Sequence, residues 1–270
     1  MLQLTLKNVR ANAPLIHCIT NYVTVNDCAN ALLACGASPI MADDIAEAAE
    51  ITTLCQATLL NIGTLNERTI KSMLLAGQKA NELGHPVVLD PVGAGASQLR
   101  TETAKMLLEN IKFSVIRGNI SEIKTLALGS NTTQGVDANL DDRITEQNLL
   151  PTIQYLQNFS RQTGAIIAVS GAIDVVTNAE CSYVIRNGHH SMSKITGSGC
   201  MLSCLTAAYI AANPQNPLDA VAAAFVLMGM AGEQAAAKSQ STGSMRTGIL
   251  DALSELTAAD LEAGAKIEVY

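Results

Sequence analysis

The sequence predicts an α/β protein: a mostly parallel central sheet covered by helices on both faces. Three observations predict it. Short apolar runs recur between longer helical patterns along the whole chain. Those runs are nearly continuous in apolar character, as strands buried on both faces are. Hydrophobic residues make up 48% of the 270 and charged residues 15%, with only 3% aromatic and no tryptophan. Ala, Val, Ile, Leu and Met must then fill the core, as in layered proteins with tight helix–sheet contacts.

In chain order, LIHCI (Leu15–Ile19) is the first apolar run and reads as a strand, followed by a helix over Thr24–Cys35. Pro39–Ala42 is a short strand before a helix over Asp44–Cys55. Thr58–Ile62 is a strand, and the long pattern Glu67–Leu83 is a helix. Pro86–Asp90 (PVVLD) and Ser114–Arg117 are strands flanking a helix over Ala104–Asn110. Ser121–Leu128 and Glu146–Thr163 read as helices, separated by the polar stretch Gly129–Arg143, the best loop candidate. Ala165–Ser170 is a strand. Asp174–Thr177 and Tyr183–Asn187 form a hairpin around the turn chemistry of Asn178-Ala179-Glu180. Helices over Cys200–Ala212, Leu218–Lys238 and Met245–Ala263 complete the chain.

Composition excludes several classes of function. The net charge is −7 and no Lys/Arg cluster occurs, so a nucleic-acid footprint is missing. The start has no basic region followed by a long apolar stretch, so no signal peptide is expected. The most apolar run, Ala220–Gly232, is too short to span a bilayer, and no membrane role is expected. Seven cysteines in no CxxC pair read as free thiols in a reducing cytosol. His17, His85, His189 and His190 are scattered and carry no assigned chemistry; no GxSxG elbow is present.

In an open α/β sheet, ligands sit beyond the carboxyl ends of the strands. The unusual segments fall there. Asp90-Pro91-Val92-Gly93-Ala94-Gly95 follows a strand. It reads either as an ordinary turn or as a loop whose Asp90 faces Mg²⁺. Arg117-Gly118-Asn119-Ile120-Ser121-Glu122 opens a helix. Asn119 and Glu122 form a capping box in one reading; in the other they orient metal-bound water near phosphate while Arg117 reaches a phosphate oxygen. Ile195-Thr196-Gly197-Ser198-Gly199-Cys200 runs straight into a helix without the Lys-Ser/Thr pair of a Walker loop. The backbone N–H groups of Gly197, Ser198, Gly199 and Cys200 make an anion hole for a phosphoryl group there. Cys200 is either a base or positioning group for a substrate hydroxyl, or a small buried residue at a packing point. Ser170 ends a strand and can line a nucleotide site. Asn21, Thr24 and Asn26 lie at a strand-to-helix junction, where they either contact a polar ring or cap the helix.

The blocks Pro14–Asp44, NIGTL (61–65), LDPVGAGAS (89–97), IRGNISEI (116–123) and ITGSGCMLS (195–203) together resemble the hydroxyethylthiazole kinase family of the ribokinase-like superfamily. The resemblance runs in order across nearly the whole chain. It implies a three-layer α/β/α sandwich formed by one domain, residues 1–270. It implies a cytoplasmic enzyme that uses ATP and Mg²⁺ to phosphorylate 4-methyl-5-(2-hydroxyethyl)thiazole for thiamine salvage. It further implies a homotrimer with sites between subunits. Residue by residue, it implies that Met41 and Gly197 touch the thiazole, with Asn21 beside them. Arg117 and Ser170 touch ATP, with Asn119 alongside, and Asp90 and Glu122 handle Mg²⁺. Cys200 stands where related sugar kinases usually place an Asp base. Position 170 is often Thr in the family; Ser keeps the hydroxyl. A pyrimidine-alcohol or sugar kinase, and a non-catalytic ligand sensor, are the rival readings.

Overall fold

The computed structural model describes residues 1–129, 143–239 and 241–270. Apart from its two ends, the loop expected over 129–143 lies outside them. The described residues form nine strands and eleven α-helices. In chain order these are α1 (Leu2–Asn12), β1 (Leu15–Ile19), α2 (Val25–Cys35), β2 (Ser38–Ile40), α3 (Ala48–Leu54), β3 (Ala57–Asn61), α4 (Glu67–Leu83), β4 (Val87–Asp90), α5 (Gln98–Asn110), β5 (Val115–Gly118), α6 (Ile120–Gly129), α7 (Leu149–Thr163), β6 (Ile166–Val169), β7 (Asp174–Thr177), β8 (Ser182–Ile185), α8 (Ser198–Ala212), α9 (Pro217–Lys238), α10 (Thr242–Glu255), α11 (Ala258–Gly264) and β9 (Ile267–Val269). A 3₁₀ turn, His190–Lys194, precedes α8.

The strands make one sheet in the order β2-β1-β3-β4-β5-β6-β7-β8-β9. The first six in that order pair in parallel; β7, β8 and β9 are antiparallel. Successive strand residues point to opposite faces, so each strand feeds two cores. Ile16, Leu59, Val88 and Val115 pack on one face with α1, α2 and α8–α11. Ile19, Leu60, Leu89 and Ile116 pack on the other with α4–α7. This is the three-layer sandwich expected from the sequence.

Local chemistry sets the element ends. Asn66 caps α4 in a capping box with Thr69, and Ser97 caps α5. Glycines in the left-handed conformation end α2 at Gly36, α4 at Gly84 and α7 at Gly164. α8 and α9 are apolar almost all round, because they are packed between the sheet and the outer helices. α9 is long and apolar enough to cross a membrane, yet 83% of its apolar window is buried inside the protein, so it is a core helix.

Some expectations need correction. The helix expected over Met245–Ala263 is two helices, α10 and α11, because Thr257 and Asp260 form a capping box that starts a new helix. The helix expected from Glu146 begins at Leu149, after a turn in which Asn148 accepts from the backbone of Thr145. α1 and β9 were not foreseen. None of the seven cysteines is paired; Cys18, Cys28, Cys35, Cys55 and Cys204 are buried and Cys181 and Cys200 half-buried, as a core-filling set should be.

Candidate active site

Parallel strands bring their carboxyl ends to one edge, and the pleat decides which residues meet there. β3 and β4 pair with Asn61 opposite Asp90. Asn61 lies two residues past Leu59, Asp90 two past Val88, Arg117 two past Val115, and Ser170 two past Ala168. All four therefore inherit the sheet face that packs under α8. The backbone of Ser170 donates to Gly118, which carries the pairing of β5 and β6 out to this edge.

Asp90 is 1% exposed. Its Oδ2 accepts from Asn61 Nδ2 at 2.8 Å and from Ser203 Oγ of α8 at 2.7 Å. Arg117 Nη1 lies 3.7 Å from the same oxygen, and Arg117 Nη2 donates to Ser170 Oγ. Burial pushes the Asp90 carboxyl up to about 6 against the pull of Arg117, Ser203 and Asn61, and the charge of Glu122 adds to the rise. Two polar atoms in this cluster are buried without a partner: Asp90 Oδ1, an acceptor, and Arg117 Nε, a donor. Buried polar groups are normally satisfied. An unpartnered carboxylate oxygen suits a cation and an unpartnered guanidinium nitrogen suits a phosphate oxygen.

The first turn of α8 faces this cluster. Its N-cap is Gly197, at φ 93°, where a Cβ would lie 3.0 Å from Thr24 Cγ2. A side chain there would meet both backbone strain and a wall. At Gly199 a Cβ would lie 2.9 Å from Arg117 Nη1, so the glycine lets the guanidinium tuck under the helix start. A helix start leaves its first N–H groups without intrahelical partners and adds the positive end of the dipole. Ser198, Gly199 and Cys200 supply those N–H groups. Cys200 Sγ accepts from Asn21 Nδ2 at 3.2 Å and from Asn61 Nδ2 at 3.3 Å. Burial, then the charge of Asp90, push the thiol up from its ordinary value.

Glu122 and Asn119 form the capping box: Asn119 Oδ1 accepts from Glu122 N at 2.9 Å, and Glu122 Oε2 accepts from Asn119 N at 2.8 Å. The structural reading of this motif therefore holds, and it does not displace the other. Glu122 Oε1 also accepts from Gly93 N at 2.8 Å, which seats the carboxylate against the Asp90–Gly95 loop. Arg100 clamps that loop by donating to the carbonyls of Val92 and Gly63.

Among the described residues no group of three or more His, Cys, Asp or Glu is placed to hold a metal. Mg²⁺ is ordinarily bound through one or two carboxylates plus substrate phosphates and keeps several waters. The unpartnered Asp90 Oδ1 can serve as one such carboxylate ligand, and Glu122, whose charge acts on Asp90, as a second.

Of the residues singled out in the sequence, Asn21, Asp90, Arg117, Ser170, Gly197, Ser198, Gly199 and Cys200 converge here, with Glu122 and Asn119 one loop away. Met41 follows β2 at the same edge and packs half-buried against the α8-side core. Asn61, Ser203 and Arg100 were missed. Asn61 and Ser203 lie inside NIGTL and ITGSGCMLS, but only the strand register and the helix turn reveal where they point. A cavity of about 290 Å³ adjoins the Gly197 turn, lined by Val23, Asp27, Thr196 and Arg246 among others. A cavity of about 630 Å³ lies at the opposite end of the sheet, beside Lys112, Phe113 and Ala165, and contains none of these residues. The convergence of buried polar groups, not cavity size, marks the site.

Comparison with known proteins gives the family. The model of the hydroxyethylthiazole kinase family matches residues 6–259. A hydroxyethylthiazole kinase of Clostridium acetobutylicum is 56% identical over 273 residues, covering 100% of both chains. One from Methanobrevibacter smithii is 43% identical, covering 98% of this chain and 95% of its own. The solved structure of a hydroxyethylthiazole kinase from Pyrococcus horikoshii OT3 superposes with a TM-score of 0.89 at 36% identity, covering 100% of this chain and 98% of that one. A ribokinase-like superfamily protein from Enterococcus faecalis shares the fold, with a TM-score of 0.65 at 14% identity, covering 95% of this chain and 89% of that one. With the family model matching residues 6–259 and full-length relatives at 43% and 56% identity, this chain belongs to the hydroxyethylthiazole kinase family.

Proposed function

We propose that this kinase transfers the γ-phosphoryl group of ATP to the hydroxyl of 4-methyl-5-(2-hydroxyethyl)thiazole, giving the thiazole phosphate and ADP for thiamine salvage. The observation that carries the reading is the meeting of three features on one buried network. These are the unpartnered Asp90 oxygen, the Arg117 guanidinium under the start of α8, and the Cys200 thiol at that same turn. The first suits a cation, the second ATP phosphates and the third an alcohol.

In this reading ATP lies along the Arg117–Ser170 side, with Asn119 nearby. The alcohol lies along the Asn21, Met41, Gly197 and Cys200 side. The alcohol oxygen gains a bond to the γ-phosphorus while the bond from that phosphorus to the β–γ bridging oxygen breaks. ADP leaves with the electron pair, and the hydroxyl proton passes to water. Asp90 and Glu122 would hold Mg²⁺, which would supply charge neutralisation at the phosphates. Arg117 adds a second positive charge, and the N–H groups of Ser198, Gly199 and Cys200 stabilise the transferring group. Burial, then the charge of Asp90, push the Cys200 thiol up from its ordinary value and so disfavour the thiolate. A loose transition state needs little early proton removal, so the sulfur acts by holding the hydroxyl in line.

Residues 1–270 act as one cytoplasmic domain in this reading, and three copies close into a ring with the sites between them. Tyr22 (78% exposed) and Val23 (57%) support this assembly, since they project from the site rim directly after Asn21 and suit burial by a second copy.

One experiment tests the reading: ADP release from enzyme of mass determined by light scattering, offered the thiazole alcohol, hydroxymethylpyrimidine, ribose or pyridoxal. The thiazole should be clearly preferred by a trimer. Preference for another alcohol would overturn the substrate, and full activity from a monomer would overturn the assembly.

A further inference from the structure

Asn61 is 1% exposed at the end of β3, and every hydrogen-bonding position of its side chain is used. Nδ2 donates to Asp90 Oδ2 at 2.8 Å and to Cys200 Sγ at 3.3 Å. Oδ1 accepts from Gly63 N at 2.9 Å and from Asn21 Nδ2 at 3.1 Å. The orientation of the amide is fixed by its surroundings. Turned over, it would set its oxygen against the Asp90 carboxylate and its NH₂ against the N–H of Gly63 and the NH₂ of Asn21. Asn21 is held in turn, since its Oδ1 accepts from the backbone and hydroxyl of Thr24. One rigid amide thus touches the carboxylate on the phosphate side and the thiol on the alcohol side.

We propose that Asn61 is a positioning residue for phosphoryl transfer: it fixes the spacing between Asp90, which faces ATP, and Cys200, which faces the acceptor alcohol. In-line displacement depends on that spacing, because misplacing a reacting group by about 1 Å can cost about a hundredfold. Asn61 need not touch either substrate to control it. Its neighbour Ser203 provides the natural comparison: it donates to the same Asp90 oxygen at 2.7 Å, while its other contact is to the carbonyl of Gly199 at 3.3 Å. Ser203 therefore steadies the carboxylate, whereas Asn61 couples carboxylate to thiol. The inference rests on the proposed assignment of Asp90 to the phosphate side and Cys200 to the alcohol side.

The test is a pair of kinetic double-mutant cycles on the full-length enzyme: Asn61→Ala with Cys200→Ala, and Ser203→Ala with Cys200→Ala. Asn61→Ala should lower kcat by roughly ten- to a hundredfold, the usual effect of losing a hydrogen bond to a charged group, with KM for ATP changed little. In the Cys200→Ala background the same substitution should cost much less, because the coupling is already gone. The Ser203 and Cys200 losses should multiply. If the Asn61 and Cys200 losses also multiply, and each tracks a fall in melting temperature, Asn61 is structural and the proposal is overturned. Asn61→Ser, which leaves room for water, replaces Asn61→Ala should the latter not fold. The cycles are run with whichever alcohol the wild type prefers. A preference other than the thiazole removes that substrate while the cycles still judge Asn61; no transfer to any alcohol removes both.

Discussion

At the scale of single residues, Cys200 and Cys204 separate chemistry from packing. They lie one turn apart on α8. Cys204 is fully buried, in contact with the core, while Cys200 meets Asn21 and Asn61 at the site. Cys200→Ala should lower kcat by about a hundredfold, the scale of loss when a reacting group is misplaced, with the melting temperature nearly unchanged. Cys204→Ala should lower the melting temperature and leave kcat close to wild type, because it removes a packed sulfur and its contacts with Cys18 and Cys28 in the core. Enzyme assays and thermal melts on the two variants check both; equal kinetic losses, each following stability, would make Cys200 a core residue. The sequence made Cys200 visible because a glycine loop runs directly into its helix. It hid Asn61 and Ser203, since an Asn at a strand end and a Ser in an apolar helix announce nothing without the register and the helix turn that point both at Asp90.

At the scale of elements, legibility followed how strongly each segment's own pattern dictates its form. The β7–β8 hairpin was readable because Asn178 takes the turn chemistry it predicts, accepting from Glu180 N and Cys181 N. α1 was not, because its buried face is Leu2, Thr5, Leu6 and Val9. The polar Thr5 occupies an inward position, while Leu4 points out, 60% exposed. β9 has three residues and exists only by pairing with β8. The 41–44 loop shows an element held from a distance. His17 on β1 is buried between the Thr52 hydroxyl of α3, 2.9 Å from Nδ1, and the Ala42 carbonyl, 2.8 Å from Nε2. A carbonyl only accepts, so Nε2 carries the proton. In the neutral ring Nδ1 then accepts from Thr52, whose one hydroxyl proton also faces the carbonyl of Ala48. Burial lowers the His17 pKa below its ordinary 6.5. The unfolded chain therefore binds the proton more readily than the folded one, and stability is lost as pH falls below 6.5. His17→Gln keeps an N–H for Ala42 but cannot titrate. Denaturant melts between pH 8 and 5 should show the wild type losing stability on the acid side faster than the variant; parallel curves would contradict the neutral, buried assignment.

At the scale of the whole molecule, the site is a consequence of topology. Six parallel strands, ordered β2-β1-β3-β4-β5-β6, deliver Met41, Asn21, Asn61, Asp90, Arg117 and Ser170 to one edge. The pleat then turns Asn61, Asp90, Arg117 and Ser170 toward a single helix start. The fold class and the motif blocks were readable because both are written in contiguous residues. The network was not, because it joins residues up to 179 positions apart. In the proposed reaction this edge transfers phosphate from ATP to the thiazole alcohol, with Asp90 a ligand for Mg²⁺. ADP release with saturating thiazole alcohol, Mg²⁺ and ATP, compared between wild type and a folded Asp90→Ala variant, tests it most directly. The account predicts thiazole-dependent release by the wild type and a loss of roughly a hundredfold or more in the variant, as removal of a charge-positioning group at a transfer centre produces. Wild-type-like, thiazole-dependent release from Asp90→Ala would contradict it.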